Sequence, residues 1–306
     1  MTGYKALGKR RKGAMKRLEE ELETDPVWQE EFGETPAELS FLKLEPCDKA
    51  VRLVEGIYKN YQMSKNGELI LQQPKQDNDI TIDYPQAVDN ALLALCHIGL
   101  KQKEKAERIA ACIEEEIGRH ETGLFLTCFA HEKTKGLFLE PAPSLAMAMV
   151  YFGLGNMSEA RQIMQNVKKN FRFSNKLITE YADTDRCNAF DHMLYVLASY
   201  CTGIKDSSRL LERYEVLFNQ SNTTLDIASY FASKALYATA LHWHLGKETK
   251  AAAALFEIRV SFSMKTAGDS IMVWNPWNDK IAGVQETAAL AIAYMAKQYC
   301  ENERTR

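Results

Sequence analysis

The sequence predicts an all-α protein: an (α/α)5–6 toroid of helical hairpins, with short extended segments between the hairpins. Three observations carry that expectation. A helical-pair unit of roughly fifty residues recurs about five times. Its turn reads Gly99-Leu100 then Ala106 and Ile109 in one copy, and Gly153-Leu154 then Ala160 and Ile163 in the next, with further turns at Gly203 and Gly246. Within each unit, a helix that is apolar nearly all round is followed by one with a charged face. A helix of the first kind must be covered on every side, whereas one of the second kind must be outermost. Finally, the first helix lacks a preceding partner and the last lacks a following one, so pairing these two closes a ring.

The elements follow in order. Residues 1–45 form a charged helical extension, separate from a toroid domain at 46–306. Lys5, Lys9, Arg10, Arg11, Lys12, Lys16 and Arg17 precede Glu19, Glu20, Glu21 and Glu23, which sets charge against the helix dipole. A solvated extension is the leading reading. A basic arm for a membrane or RNA and a transit segment are the others, and the acidic block weakens both. Residues 47–61 read as a helix with Val51, Val54, Ile57 and Tyr58 on one face, followed by an extended segment at 67–71. Helices at 86–98 and 101–117 come next, then an extended segment at 122–126. The same order returns at 142–152, 157–167 and 176–179, at 190–201, 207–218 and 224–227, and at 232–245, 250–260 and 269–274. The closing helix is 281–299. An open helical solenoid is the rival architecture, but these repeats drift in length and no polar capping repeat is visible at the C-terminus.

Composition bounds the function. With 306 residues, 46% of them hydrophobic, the chain can bury a large core. A net charge of −3 supplies no bulk attraction to nucleic acid. No apolar run reaches the ~18 residues that a membrane span needs, and the first residues lack the hydrophobic segment of a secretory signal. Seven scattered cysteines make no CxxC pair and read as small buried hydrophobes in a reducing compartment. A cytoplasmic location is therefore expected. No HExxH, paired-Cys or EF-hand spacing supports a metal, no dinucleotide fingerprint or P-loop is present, and no cofactor is expected. Oligomeric state is left open.

The hairpin order, the Gly-Leu-x5-Ala turn and the G-x-[FI]-[LI] extended segments resemble those of the six-hairpin glycosidase-like superfamily and, more distantly, of terpenoid-cyclase-like toroids. The resemblance covers residues 46–306. It implies a pocket at the ring end that carries the loops leading into the inner helices. Those loops are 77–85, 131–141, 180–186, 226–234 and 274–280, and they bring carboxylates and aromatics from distant parts of the chain to one mouth. Glycan hydrolysis needs one carboxyl kept protonated for the leaving oxygen, another ionised as base or nucleophile, and flat aromatics against sugar faces.

The candidate catalytic residues are Asp185, Asp191, Asp89, Glu286 and His192. Asp89, Asp191 and Glu286 lie in otherwise buried inner helices, where an unpaired carboxylate is costly and wants a partner or a pocket. His192 could exchange a proton near neutral pH, and a hydrogen-bonded core histidine is the competing reading. Candidate substrate-binding residues are Trp274, Trp277, Tyr84, Tyr181, Arg186 and Lys234. A glycoside hydrolase or polysaccharide lyase acting on an oligosaccharide or small-molecule ligand leads. A non-catalytic helical-repeat scaffold that binds a partner is second. A terpenoid-cyclase-like enzyme using Asp185 is third, on the Asp183-Thr184-Asp185-Arg186 stretch, which looks like a partial D-x-D-D motif carrying Arg186 in place of its last acid.

Overall fold

The computed structural model of the chain describes residues 41, 43–74, 85–128, 139–174, 177–181, 185–204, 207–218, 227–245, 250–251, 254–255, 264–267, 270–273 and 283–305. The chain divides into two units, Met1–Lys43 and Leu44–Arg306, and the fold described here is that of the second. Its helices are α1 (Pro46–Asn60), α2 (Ala87–Gly99), α3 (Lys103–Cys112), α4 (Pro141–Gly153), α5 (Met157–Asn170), α6 (Ala189–Cys201), α7 (Ser207–Phe218), α8 (Ile227–Leu245) and α9 (Val284–Thr305). Three two-stranded antiparallel ribbons accompany them: β1 (Tyr61–Met63) with β2 (Ile70–Pro74), β3 (Phe173–Ser174) with β4 (Leu177–Ile178), and β5 (Met264–Ala267) with β6 (Ser270–Val273).

Five helices make an inner ring. α2 packs on α4, α4 on α6, α6 on α8, α8 on α9, and α9 returns to α2. The ring is closed. Four of the inner helices have an outer partner among the described residues: α3 lies on α2, α5 on α4, α7 on α6, and α1 on α9. Polarity explains the sorting. Every residue of α4 from Pro141 to Val150 is buried, whereas α5 buries only Ala160, Ile163, Met164 and Val167. No helix among the described residues is long and apolar enough to cross a membrane.

Several details differ from the sequence reading. The buried stripe of α1 is Ala50, Leu53, Val54 and Ile57, with Val51 and Tyr58 at its half-buried edge. Tyr61 is not helical but opens β1, because its backbone pairs with Pro74 of β2. The helix expected at 101–117 is α3 followed by a π-helical turn, Ile113–Ile117. That wider turn lets both Ile113 and Ile117 reach the core, and Gly118 N–H closes it on the Ile113 carbonyl at 3.0 Å. The extended segment expected at 224–227 overlaps a helix, since α8 begins at Ile227, and its other residues lie outside those described. The helix expected from Ala232 thus starts five residues earlier, and Phe231 is already buried. α9 likewise runs on to Thr305.

The turn glycines do two different jobs. α2, α4 and α6 end in the same Schellman arrangement. Lys101 N–H bonds Ile98 O and Gln102 N–H bonds His97 O; Gly155 and Asn156 repeat this on Phe152 and Tyr151; Gly203 and Ile204 repeat it on Tyr200 and Ser199. The left-handed position is therefore Lys101 (φ 61), Gly155 (φ 91) and Gly203 (φ 73). Gly203 is not the equivalent of Gly99 and Gly153, which close their helices in helical conformation. Those two are glycine for contact: a Cβ on Gly99 would meet Met295 Sδ at 2.5 Å, and one on Gly153 would meet Ile98 Cδ1 at 2.9 Å.

A second repeated device ties the ribbons to the ring. The fourth residue of an inner helix holds an extended segment by its backbone. Asn90 accepts from Ile70 N–H at 2.7 Å and donates to Ile70 O at 3.0 Å. Ser144 Oγ accepts from Phe125 N–H at 2.9 Å, and Thr287 Oγ1 accepts from Val273 N–H at 3.4 Å.

The left-handed lysine gives a test. A non-glycine residue there costs ~1–2 kcal/mol, offset in part by the greater freedom of an unfolded glycine. Lys101→Gly is expected to stabilise the protein by about 0.5–1 kcal/mol in urea denaturation. Gly155→Ala is expected to destabilise it by about 1 kcal/mol, although a Cβ there meets nothing within 4 Å.

Candidate active site

The third residue of three inner helices is a carboxylate: Asp89 in α2, Asp191 in α6 and Glu286 in α9. All three are buried. Each sits in the first turn, where the positive end of the helix dipole favours an anion. In α2 and α9 the fourth residue, Asn90 or Thr287, is committed to a ribbon, and the third is turned by about 100° from it. The carboxylates therefore share one end of the ring, the end at which the inner helices begin.

Asp191 lies at the centre of one group. Asn188, the N-cap of α6, accepts from Asp191 N–H at 2.7 Å, and its amide donates back to Asp191 Oδ2 at 2.7 Å. This reciprocal pair resembles a capping box. Burial first, then the charges of Glu140 and Glu180, push the Asp191 carboxyl well above the usual carboxylate range, against the Asn188 amide, which lowers it. Glu140 is the N-cap of α4. Burial raises its carboxyl, as does the charge of Glu180, while hydrogen bonds from Thr127 and Tyr181 oppose the shift. The Thr127 hydroxyl donates to Glu140 Oε2 at 3.2 Å. Burial, then Glu180 and Glu140, raise the Tyr181 hydroxyl. Arg186 closes the group from outside: its Nε lies 3.6 Å from Glu180 Oε2, and its carbonyl accepts from Glu180 N–H at 2.7 Å.

Asp89 and Glu286 form the second group, on the neighbouring helices α2 and α9. Burial, then the charges of both, raise the Tyr61 hydroxyl. Lys234 is buried in α8, the inner helix between α6 and α9.

The other expected residues are placed as follows. Asp185 is exposed, and its carbonyl lies 3.7 Å from Cys187 Sγ. His192 is fully buried and turned to the outer layer, its Nε2 3.1 Å from Leu210 O of α7. A carbonyl only accepts, so Nε2 carries the hydrogen. Nδ1 is buried without a partner among the described residues, and burial lowers the ring pKa to about 4. His192 thus holds α6 to α7 and is not brought to the Asp191 carboxyl. Trp274, Trp277 and Tyr84 lie outside the described residues. No group of three or more His, Cys, Asp or Glu among the described residues could hold a metal ion.

The sequence reading did not single out Glu140, Glu180 or Tyr61. A glutamate directly before a first-turn proline is an N-cap signal, and Glu140-Pro141 carries it. Nothing local marks Glu180, whose role comes from the return of the chain beside Glu140.

No protein-family profile matches the chain, and no curated protein matches it. Solved structures do. A structure described as a novel alpha-amylase from Clostridium perfringens superposes with a TM-score of 0.55 at 10% identity, covering 82% of this chain and 98% of that one. PssZ from Listeria monocytogenes gives a TM-score of 0.47 at 10% identity over 78% and 93% of the two chains. A D-mannose isomerase gives 0.44 at 13% identity over 80% and 79%. At these identities the first likeness shows the fold alone, an (α/α) toroid.

The lowered His192 pKa has a consequence for stability. An unfolded histidine takes its proton near pH 6.5, but the folded one does so only near 4. The unfolded chain therefore binds the proton first, and stability is lost as pH falls between about 6.5 and 4. Full titration is worth on the order of 3 kcal/mol. The difference in urea midpoint between the native protein and His192→Gln is expected to narrow steadily across that window.

Proposed function

We propose that the protein is a glycoside hydrolase acting on neutral glycans, with Asp191 as the general acid. The observation that carries this reading is a buried carboxyl at the first turn of an inner helix, biased toward its protonated form by burial and by Glu140 and Glu180. Protonation of the leaving oxygen requires a carboxyl of that kind. Asp89 and Glu286, on the adjacent pair α2 and α9, are the candidates for the partner that acts as base or nucleophile. Tyr181, with Trp274, Trp277 and Tyr84, offers aromatic faces for sugar rings, and Arg186 and Lys234 offer donors for hydroxyl groups. The toroid shared with the alpha-amylase from Clostridium perfringens supports a sugar substrate by analogy of fold.

Hydrolysis is favoured over lyase chemistry by the charge balance. Five carboxylates, Asp89, Glu140, Glu180, Asp191 and Glu286, lie at or beside the starts of the inner helices, with Arg186 and Lys234 as cations near them. A lyase must bind a uronate and neutralise its carboxylate, and this surface repels one. The terpenoid-cyclase reading is disfavoured by position. Asp185 precedes α6, whereas the apolar cavity of the ring is lined by Leu197, Tyr200 and Cys201 at the far end of that helix, roughly 15 Å along the axis at 1.5 Å per residue. A scaffold has no use for a carboxyl held against its normal ionisation, since that carries a stability cost.

The test is Asp191→Asn. If Asp191 is the acid, turnover of a panel of neutral oligosaccharides, read by new reducing ends, falls by about 10²–10⁴-fold with the far-UV spectrum unchanged. The same variant is expected to melt higher than the native protein at pH 7, because a raised carboxyl pKa costs stability above the unfolded value of about 4. That gain disappears as the pH falls below 4. A variant that melts lower and keeps its turnover would assign Asp191 to helix capping alone and end the proposal.

A further inference from the structure

At the other end of the ring, where the inner helices finish, lies an apolar cavity of about 750 Å³. All five inner helices line it. Its deep wall includes Leu95, Met149, Leu197, Leu236 and Ile292, and its mouth is framed by Phe152, Tyr200, Trp243 and Tyr299. All four mouth aromatics are exposed, Tyr299 to 60%, and they come from α4, α6, α8 and α9.

This space is not slack in a loose core. Between the helices the wall is packed to contact: a single added methyl at Gly99 or Gly153 would strike Met295 or Ile98. Protein interiors otherwise leave few voids larger than a water molecule. A ring whose helices touch this closely around an open centre is a shaped bowl. Its size matches that of small-molecule sites, ~300–1,000 Å³.

The lining sets the class of ligand. Among the described residues, no charged side chain borders the cavity. The Thr239 hydroxyl is committed to Ala235 O at 3.0 Å. The Cys201 thiol is pushed up to about 12 by burial and is neutral. Tyr200 Oη donates to Trp243 O at 3.5 Å. An ion would therefore be desolvated here without compensation. From Ile292 to Tyr299 the bowl is about 10 Å deep, and its volume over that depth makes it roughly 9 Å across. That is about as wide as it is deep, the proportions of fused rings and not of a single extended chain.

We infer that the C-terminal end of the ring binds a bulky, uncharged alicyclic or aromatic small molecule, at a site separate from the carboxylate end. The probe for a test is N-phenyl-1-naphthylamine, which is uncharged and polycyclic. Its fluorescence is expected to rise saturably at one molecule per chain, with quenching of tryptophan emission that Trp243→Phe removes. In the native protein, 1-adamantanol should displace it and hexadecanol should not; displacement by hexadecanol alone would overturn the assignment to a ring-shaped ligand. Ala296→Phe and Thr239→Phe, which place a ring in the void, are each expected to weaken probe binding by at least tenfold while the melting temperature holds or rises. Unsaturable binding to the native protein, or unchanged affinity in both filled variants, would overturn the site. So would a native dimer that Ala296→Phe dissociates, since the bowl would then belong to a second copy.

Discussion

Everything in this fold depends on the closure of the inner ring by α9. α2, α4 and α6 are apolar on nearly every side, and such helices are stable only when covered on every side. α9 supplies the missing neighbour of both α8 and α2, and α1 then covers α9 from outside. The seam is close-packed. Cys96 Sγ of α2 lies 3.5 Å from Ala288 O of α9, and Gly99 has no side chain where Met295 passes. Without that seam, α2 would expose a face of alanines and leucines to water at roughly 25 cal/mol for each Å², and the chain would have an open edge in place of a ring with two ends.

Closure also fixes the register of the chemistry. Once the fourth residue of an inner helix is bound to an extended segment, as Asn90, Ser144 and Thr287 are, the rotation of the helix is fixed. The third residue is then carried to a defined direction at the helix start. In α2, α6 and α9 that residue is an acid, and in α4 the acid comes from the N-cap, Glu140, instead, because Pro143 occupies the third place. α6 is the exception at the fourth place: His192 reaches outward to Leu210 O. The Asn188 side chain, bonded to Asp191 on both sides, fixes the carboxyl there.

How far the fold was legible follows from the same physics. Layer order, the hairpin sequence and the closing pair could be read because each rests on periodicity, which is local. The extended segments read at 67–71, 176–179 and 269–274 overlap one strand of each ribbon, but their partner strands were not read. The π-helical turn at 113–117 and the early start of α8 were not, because both are set by what the helix packs against. The two kinds of turn glycine could not be told apart either. Gly99 answers to Met295, nearly two hundred residues away, whereas Gly203 answers to its own φ. At the site, Asp89, Asp191 and Glu286 stood out as acids inside apolar helices. Glu180 did not, because its importance comes from a neighbour across the fold.

The two ends of the ring are chemically opposite for a reason that lies in the helices themselves. At their N-terminal ends the backbone offers unsatisfied N–H groups and a positive dipole, which tolerate buried carboxyls that an apolar core would reject. At their C-terminal ends the carbonyls of α2, α4 and α6 are already satisfied by three matching Schellman turns. Nothing polar is left there to solvate a charge, so the wall can be apolar to its rim and end in exposed aromatic rings. One bundle of parallel inner helices therefore yields an acidic end suited to proton transfer and an apolar end suited to an uncharged ligand. Between the two ends the same helices carry fully buried apolar residues, Leu92, Leu93, Met147 and Leu194 among them.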